Sequence, residues 1–334
     1  MRLRFKPTRE QRAALKVHLS RILQPAVAQD LLRTSLPRHV EPAGVTCVAH
    51  SVHVDRFVVR AVVRSRTGEE HAYALKTYVD DFGGQVWAYA QILATRPQLD
   101  RDGVCLPVRY LPEERTLVFP WVSGPSLADV ADHRTPQLLQ RAAGLAAALH
   151  RSGVVPEAPT TAETIVNETL ARCDRLCARW PAMAPLVMPL VAKMRAAAHS
   201  LDATDPVPVH GDLWAGQLVW TGERLVLLDL DAFGYADPAY DAGYFLAQLE
   251  RKGLSDPARS AQTPGWLAAF WDAYLAEVPW VSPRNVSFYR GVTLMRKLYT
   301  VCRSEPTESR ALVPRLAARA SEALEDTSSW APAP

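Results

Sequence analysis

The run His210-Gly211-Asp212-Leu213-Trp214-Ala215-Gly216-Gln217 is followed, twelve residues beyond Gln217, by Asp229-Leu230-Asp231. Carboxylate and carboxamide oxygens are hard donors of the kind Mg²⁺ takes, with waters and substrate phosphates completing its shell. A carboxylate such as Asp212 can accept or orient the proton of an attacking hydroxyl, help worth about 10²–10⁴-fold. The chemistry that suits this combination is phosphoryl transfer, in which alignment and charge neutralisation are expected to contribute more than the base itself. His-x-Asp alone carries little weight. The full set of His210, Asp212, the amide at Gln217 and the later Asp229 is stronger, because each polar position has a separate task.

The intervening elements must bring these groups together. Val207 to Val209 read as an extended entry, and Gly211 permits a sharp turn that aims Asp212 into a cleft. Leu218-Val219-Trp220 and Leu225-Val226-Leu227-Leu228 read as two arms of a hairpin, with Trp220-Thr221-Gly222-Glu223 as its turn. Such a hairpin returns the chain so that Asp229 emerges beside Gln217. Upstream, residues 8–24 carry Leu15, Leu19, Ile22 and Leu23 at helical spacing, with Thr8 as a cap, and residues 31–40 read as a connector. Short β-type runs follow at Val45–Val48, Phe57–Val63 and His71–Tyr78, the last two joined through Arg66-Thr67-Gly68-Glu69. A helix is expected over Gln85–Ala94, then strands over Val104–Tyr110 and Leu117–Trp121. Beyond Val122-Ser123-Gly124-Pro125 the pattern is largely helical: 136–151, one or two helices within 162–200, and again from Ala239 to about Glu325.

Composition narrows the class. The 334 residues suit about two domains. With 38 basic and 35 acidic residues, the net charge of +3 is too balanced to predict nucleic-acid binding. No apolar run reaches the roughly 18 residues that span a bilayer. The start, Met1-Arg2-Leu3-Arg4-Phe5-Lys6-Pro7, lacks an apolar region after its charges, so no signal peptide is expected. Five scattered cysteines read as reduced thiols of a cytoplasmic protein, with no nucleic-acid or membrane partner and a monomeric or homodimeric state.

The sequence resembles the aminoglycoside phosphotransferase and related small-molecule kinase family. The residues that carry the resemblance are His210-Gly211-Asp212 through Gln217 and Leu227-Leu228-Asp229-Leu230-Asp231 through Asp237-Pro238-Ala239-Tyr240-Asp241. Weaker matches follow the family order at Tyr73-Ala74-Leu75-Lys76, Leu117-Val118-Phe119-Pro120-Trp121-Val122-Ser123-Gly124 and Leu145-Ala146-Ala147-Ala148-Leu149-His150. The resemblance implies an α+β, two-lobed protein-kinase-like fold, with an N-terminal antiparallel sheet plus helix and a larger, mostly helical C-terminal lobe. With Val122-Ser123-Gly124-Pro125 as the boundary between lobes and a small, polar, Pro-rich end, the chain is expected to comprise an N-terminal helical segment (1–40), a nucleotide-binding lobe (41–121), a catalytic and acceptor-binding lobe (122–326) and a disordered tail (327–334).

The same resemblance implies ATP, with GTP left open, and Mg²⁺ as cofactors, and a small-molecule hydroxyl as acceptor. Asp212 resembles the catalytic Asp, and His210 the loop-organising His. Asp229 and Gln217 take the metal positions, and Asp231 either assists the metal or accepts backbone hydrogen bonds. Lys76 resembles the strand lysine that contacts the nucleotide phosphates. Phe119 and Trp121 fall in the hinge whose backbone binds adenine, and Asp241 looks like a structural tie to a helix N-terminus.

Three positions depart from the pattern. Gln217 stands where Asn is expected and is one methylene longer. The nucleotide loop, read as a turn over Ala49-His50-Ser51-Val52-His53, has only Gly44 at its edge, so Ser51 or His53 would assist the phosphates in place of close glycine approach. No helix glutamate stands opposite Lys76, and Gln85 and Gln91 are the nearest candidates. These departures keep open an alternative: a catalytically degenerate kinase-fold protein acting as a nucleotide-binding or scaffold module. From Glu250 onward nine acidic and eleven basic residues give no acidic excess for a polycationic antibiotic, which leans the acceptor towards a sugar or another hydroxyl metabolite.

Overall fold

The computed structural model describes residues 7–37, 39–96, 103–155, 158–304 and 311–325. The expected tail, 327–334, and the first six residues lie outside them. The chain divides into two compact units: Arg2–Pro97 with Val104–Ser123, and a larger one built on Gly124–Pro334.

The smaller unit is a five-stranded antiparallel sheet in the order β1-β2-β3-β5-β4. Its strands are β1 (Pro42–Val52), β2 (Arg56–Ser65), β3 (Glu70–Tyr78), β4 (Arg109–Leu111) and β5 (Thr116–Pro120). Two helices, α1 (Arg9–Ile22) and α2 (Pro25–Leu32), precede it, and α3 (Phe82–Leu93) follows β3. Thr8 and Gln11 form a reciprocal capping box at the start of α1, each side chain accepting the other's backbone N–H at 3.2 and 2.8 Å. Pro25 opens α2 at a position where a missing N–H costs nothing. Leu15, Ile22, Ala28 and Leu32 of these helices bury against Phe57, Val59, Leu75 and Val118, which strand alternation puts on one face. Arg21 and His18 of α1 also meet Glu114 in the turn between β4 and β5.

Three expectations need correction here. The connector expected over 31–40 begins only after α2, a helix whose eight residues are too few to show clear periodicity. The strand expected over Val104–Tyr110 is a strand only from Arg109, because Pro107, which has no N–H to give to a ladder, interrupts the apolar run before it. The turn expected at Ala49–His53 is instead the end of β1. That strand continues to Val52 through an irregularity between Ala49 and Ser51, and the reversal falls at 53–55, closed by His53 N–H donating to Arg56 O at 2.8 Å.

The larger unit is helical around two small hairpin-like sheets. Helices α4 (Thr135–His150), α5 (Ala162–Arg179) and α6 (Ala184–Ala198) come first. Strands β6 (Val207–Val209), β7 (Leu218–Trp220), β8 (Leu225–Leu227) and β9 (Gly234–Ala236) follow, with β6 paired to β9 and β7 to β8. Helices α7 (Ala239–Ser255), α8 (Pro257–Ser260), α9 (Thr263–Glu277), α10 (Pro283–Ser304) and α11 (Leu312–Glu325) complete it. The core runs through the contacts of α7 with α10, of α4 with α9 and of α7 with α9, and at the last of these Phe245 stacks on Phe270, which stacks on Tyr274. The Trp266, Phe270, Tyr274 spacing is therefore core packing, as helical periodicity suggests. His150, fully enclosed at the end of α4, meets Pro208 O through Nδ1 at 2.7 Å and the Tyr274 hydroxyl through Nε2 at 3.0 Å. The Tyr274 hydroxyl also lies 2.9 Å from Pro238 O. The five cysteines are free. Among the described residues no helix is long and apolar enough to cross a membrane.

Candidate active site

In the larger unit, five of the candidate residues come together around one loop. Gly211 adopts φ +78°, and a Cβ there would lie 2.1 Å from Ala232 O, so the loop can approach the 230–232 turn this closely only with glycine. The carboxylate of Asp241, fully buried in the first turn of α7, accepts the backbone N–H groups of His210 (2.7 Å) and Gly211 (2.9 Å). Burying that charge is tolerable because both oxygens are donated to and the helix N-terminus favours an anion. His210 contacts Leu228 O through Nε2 at 2.9 Å and accepts the Asp212 N–H on Nδ1 at 3.3 Å, a pattern that requires the neutral Nε2–H tautomer. Its ring bridges the loop to the end of the β7–β8 hairpin.

Asp212 is held from two sides. Tyr244 of α7 donates its hydroxyl to Oδ1 at 2.5 Å, and Gln217 Nε2 donates to Oδ2 at 3.3 Å. Burial first, and then the nearby Asp212 carboxylate, push the Tyr244 phenol well up, so it remains a donor. With its nitrogen turned to Asp212, the Gln217 amide keeps its oxygen as a donor atom for a cation. The hairpin returns the chain by Leu228 N–H donating to Gln217 O at 2.7 Å, which makes Asp229 the neighbour of Gln217. Asp229 has φ +65°, uncommon for a residue with a Cβ, and its Oδ1 accepts the Asp231 N–H at 3.0 Å. Asp231 lies in the following single turn, Leu230–Ala232. Among the described residues no three His, Cys, Asp or Glu side chains cluster as a metal site. The donor set is one carboxylate and one carboxamide, which fits Mg²⁺, an ion that keeps waters and takes few protein ligands.

The sequence reading missed three groups around Asp212. They are Tyr244, Gln248, whose Nε2 donates to the Tyr244 hydroxyl at 3.1 Å, and Lys297 of α10, whose ammonium donates to the same hydroxyl at 3.4 Å. Asp241, Tyr244, Gln248 and Arg251 recur at helical spacing, a polar stripe that was readable in α7. Lys297 carries no local signal.

The smaller unit holds the other four candidates. Directly paired residues of an antiparallel sheet point to the same face. The register aligns Ser51 with Val58, Val58 with Lys76 and Lys76 with Leu117, and it aligns Ala74 with Phe119. Ser51, Lys76 and Phe119 thus share the face opposite α1 and α2. Trp121 joins them, its ring edge-on to His50 and under the Arg60 guanidinium, each 5.0 Å from the ring centre. Lys76 is only 7% exposed, its ammonium 5.5 Å from the Tyr78 ring centre. Of the amides considered as its partner, Gln85 donates to the Tyr89 hydroxyl at 2.9 Å.

The family model described as "Phosphotransferase enzyme family" matches residues 59–284. No curated protein matches the chain by sequence. Among solved structures, a spectinomycin phosphotransferase in complex with ADP and spectinomycin is similar at 13% identity and TM-score 0.61, covering 90% of this chain and 99% of that one. An amicoumacin kinase in complex with AMP-PNP and Ca²⁺ is similar at 16% identity and TM-score 0.60, covering 92% and 96%. A macrolide 2′-phosphotransferase from Brachybacterium faecium is similar at 15% identity and TM-score 0.52, covering 90% and 100%. At these identities the structures share the fold, a protein-kinase-like α+β architecture.

Proposed function

The chain belongs to the phosphotransferase enzyme family, and from that premise we propose that it transfers the γ-phosphoryl group of ATP to a hydroxyl of a small molecule, with Mg²⁺. The observation that carries this reading is the arrangement of Asp212: a carboxylate fixed by Tyr244 and Gln217, on a loop clamped by Asp241, with Asp229 delivered beside Gln217. Asp212 orients the acceptor hydroxyl and takes its proton as the new O–P bond forms and the bond from the γ-phosphorus to the bridging oxygen breaks, releasing ADP. In a loose transition state a firmly held carboxylate serves mainly by alignment. Gln217 and Asp229 are the residues that would hold Mg²⁺, which when bound neutralises phosphate charge. Asp231 supports Asp229 through the turn between them. His210 and Asp241 keep the loop in shape and do not touch reactants. In the smaller unit, Lys76 is the proposed phosphate contact, Ser51 a secondary one, and Phe119 with Trp121 the adenine-side segment.

A second reading, a nucleotide-binding scaffold without transfer, is favoured by one observation: β1 runs without glycine from Val45 to Val52, where phosphates would need close backbone approach. One paired experiment separates the two. Thermal unfolding is followed with Mg²⁺-ATP, with Mg²⁺-GTP and with EDTA, alongside ADP formation, for the wild type and Asp212→Ala. Specific binding stabilises by mass action, about 2.7 kcal/mol at a hundredfold excess over Kd. The expected outcome is a Mg²⁺-dependent shift in both proteins and loss of transfer in Asp212→Ala alone. Full transfer by Asp212→Ala removes the catalytic assignment, and a shift without turnover in the wild type favours the scaffold.

A further inference from the structure

Three groups meet at the hydroxyl of Tyr244, and their chemistry fixes which way its hydrogen points. Gln248 Nε2 lies 3.1 Å from the phenol oxygen and Lys297 Nζ 3.4 Å from it, while Asp212 Oδ1 is 2.5 Å away. The Gln248 amide is held in one orientation, because its Oε1 accepts from Arg251 Nε at 3.1 Å. Its NH₂ group therefore faces the phenol, and an NH₂ group only donates. An ammonium likewise only donates. The phenol oxygen thus receives from two sides, and Asp212 is the group left to take its hydrogen.

Two consecutive cations of α10 are placed alike and partnered differently. Arg296 Nη1 lies 3.4 Å from the hydroxyl of Tyr240, one turn before Tyr244 on α7, and the Arg296 guanidinium pairs with Glu168 of α5 at 3.1 Å. Lys297 has no such carboxylate. Among the described residues its hydrogen-bond partner is the Tyr244 phenol, and its ammonium lies 5.3 Å from the centre of that ring. Burial is the main cause that brings the Lys297 ammonium down to about 8, with Arg251, Arg296 and Arg172 pushing the same way, while the Asp212 carboxylate favours the charged form. The charges that α6 and α11 bring to this side of the unit are paired elsewhere, Lys193 with Glu325 and Arg319 with Glu250. Taking an ammonium out of water with no carboxylate beside it costs stability, and groups kept in that condition concentrate at functional sites.

Resting on the phosphotransferase reading, we infer that Lys297 is a positioning residue whose ammonium, acting through Tyr244, holds the Asp212 carboxylate in its reactive orientation. The ammonium leaves the phenolic hydrogen no acceptor but Asp212. It also draws electron density from the phenol oxygen, which strengthens the bond to Asp212. A neutral amine reverses the first effect, because its lone pair can accept the phenolic hydrogen, and Tyr244 is then shared between Lys297 and Asp212. The alignment is therefore complete while Lys297 is protonated and is lost as pH rises through its titration. Phosphates bound near Asp212 would add negative charge, which favours the ammonium, so the loss falls at or above about pH 8 in the working complex.

The test uses the whole protein. ADP formation from Mg²⁺-ATP, with water and glycerol as acceptors, is followed from about pH 6 to about pH 10, and the rate of Asp212→Ala is subtracted. The wild-type rate should fall above about pH 8 towards that of Lys297→Met. Lys297→Met should be slower by about fivefold or more near neutrality and flat on the alkaline side, with Mg²⁺-ADP affinity and thermal stability no lower than wild type. Lys297→Arg, whose guanidinium stays charged throughout, should keep most of the wild-type rate and lose the alkaline fall. A Lys297→Met rate close to wild type, an arginine variant no better than the methionine one, or a matching loss of Mg²⁺-ADP affinity overturns the inference. A second measurement needs no turnover. The chain has six lysines, so a ¹³C label at their ε carbons gives a spectrum in which Lys297→Arg identifies the Lys297 signal. Asp212→Asn should lower the titration midpoint of that signal by about half a pH unit or more, and Tyr244→Phe should move it too. An unmoved midpoint in either variant overturns the inference, whatever the turnover. Moved midpoints in a protein that forms no ADP beyond the Asp212→Ala level would put the failure on the transferase reading and leave the link from Lys297 to Asp212 standing.

Discussion

At the scale of single residues, the candidate site turns on how Asp212 is held. Tyr244 contributes a 2.5 Å hydrogen bond to one of its oxygens, and a bond to a charged group is worth about 1.5–3 kcal/mol. Tyr244→Phe should therefore lower kcat by about tenfold or more while leaving nucleotide affinity unchanged, which steady-state kinetics and Mg²⁺-ADP titration would show. A matching loss of nucleotide affinity would mean that Tyr244 acts through the metal instead. Gln217 is the second tie. Gln217→Ala removes both the donor to Asp212 and a proposed oxygen ligand, and should raise the Mg²⁺ concentration for half-maximal rate by about tenfold, the effect of roughly 1.4 kcal/mol. His210, Asp212, Gln217 and Asp229 were legible in the sequence because one loop and one hairpin bring them together. Lys297 was not, because it is 85 residues beyond Asp212 and joins it only by packing of α10 on α7.

At the scale of elements, α7 organises the site. Its first turn supplies Asp241, its second Tyr244, and its later turns Gln248 and Arg251. Asp241→Asn would leave one of the two loop N–H groups facing an amide N–H₂, and should cost about 2–3 kcal/mol in urea denaturation along with most of the activity. A neutral effect on stability would show that the loop is held elsewhere. The polar stripe of α7 was present in the sequence, yet Asp241 alone drew attention, since a polar helix face reads equally as a solvated one. Elements with a strong period emerged close to their expected places: α1 with its Thr8 cap, the β2–β3 hairpin and the β7–β8 hairpin. Those set by tertiary contact did not. The last residues of β1 form strand because β2 offers a partner edge, although their own composition reads as a turn, and α2 is too short to declare itself. Pairing β6 with β9 likewise depends on the whole intervening segment folding back.

At the scale of the molecule, Glu250 joins three helices of the larger unit. This carboxylate, 3% exposed, ties α7 to α10 through Arg290 and to α11 through Arg319. Glu250→Ala should destabilise the protein by about 3–5 kcal/mol, because it leaves the buried Arg290 guanidinium without its anion. Glu250→Leu combined with Arg290→Met should recover much of that loss, and chemical denaturation of the three proteins would check it. An equal loss in the single and double variants would assign the effect to packing rather than charge. The α4–α9 side is joined by a different device, and there the count of hydrogens matters. His150, Tyr274 and the carbonyls of Pro208 and Pro238 make three contacts, each of which needs a hydrogen. Burial pushes the His150 imidazole down, towards its neutral form, so ring and phenol together supply two hydrogens for three places. The phenolic hydrogen must then be divided between the Pro238 carbonyl and the imidazole nitrogen. The seam between α4, α9 and the start of α7 thus carries a vacancy that moves between its two sides without any heavy atom changing position.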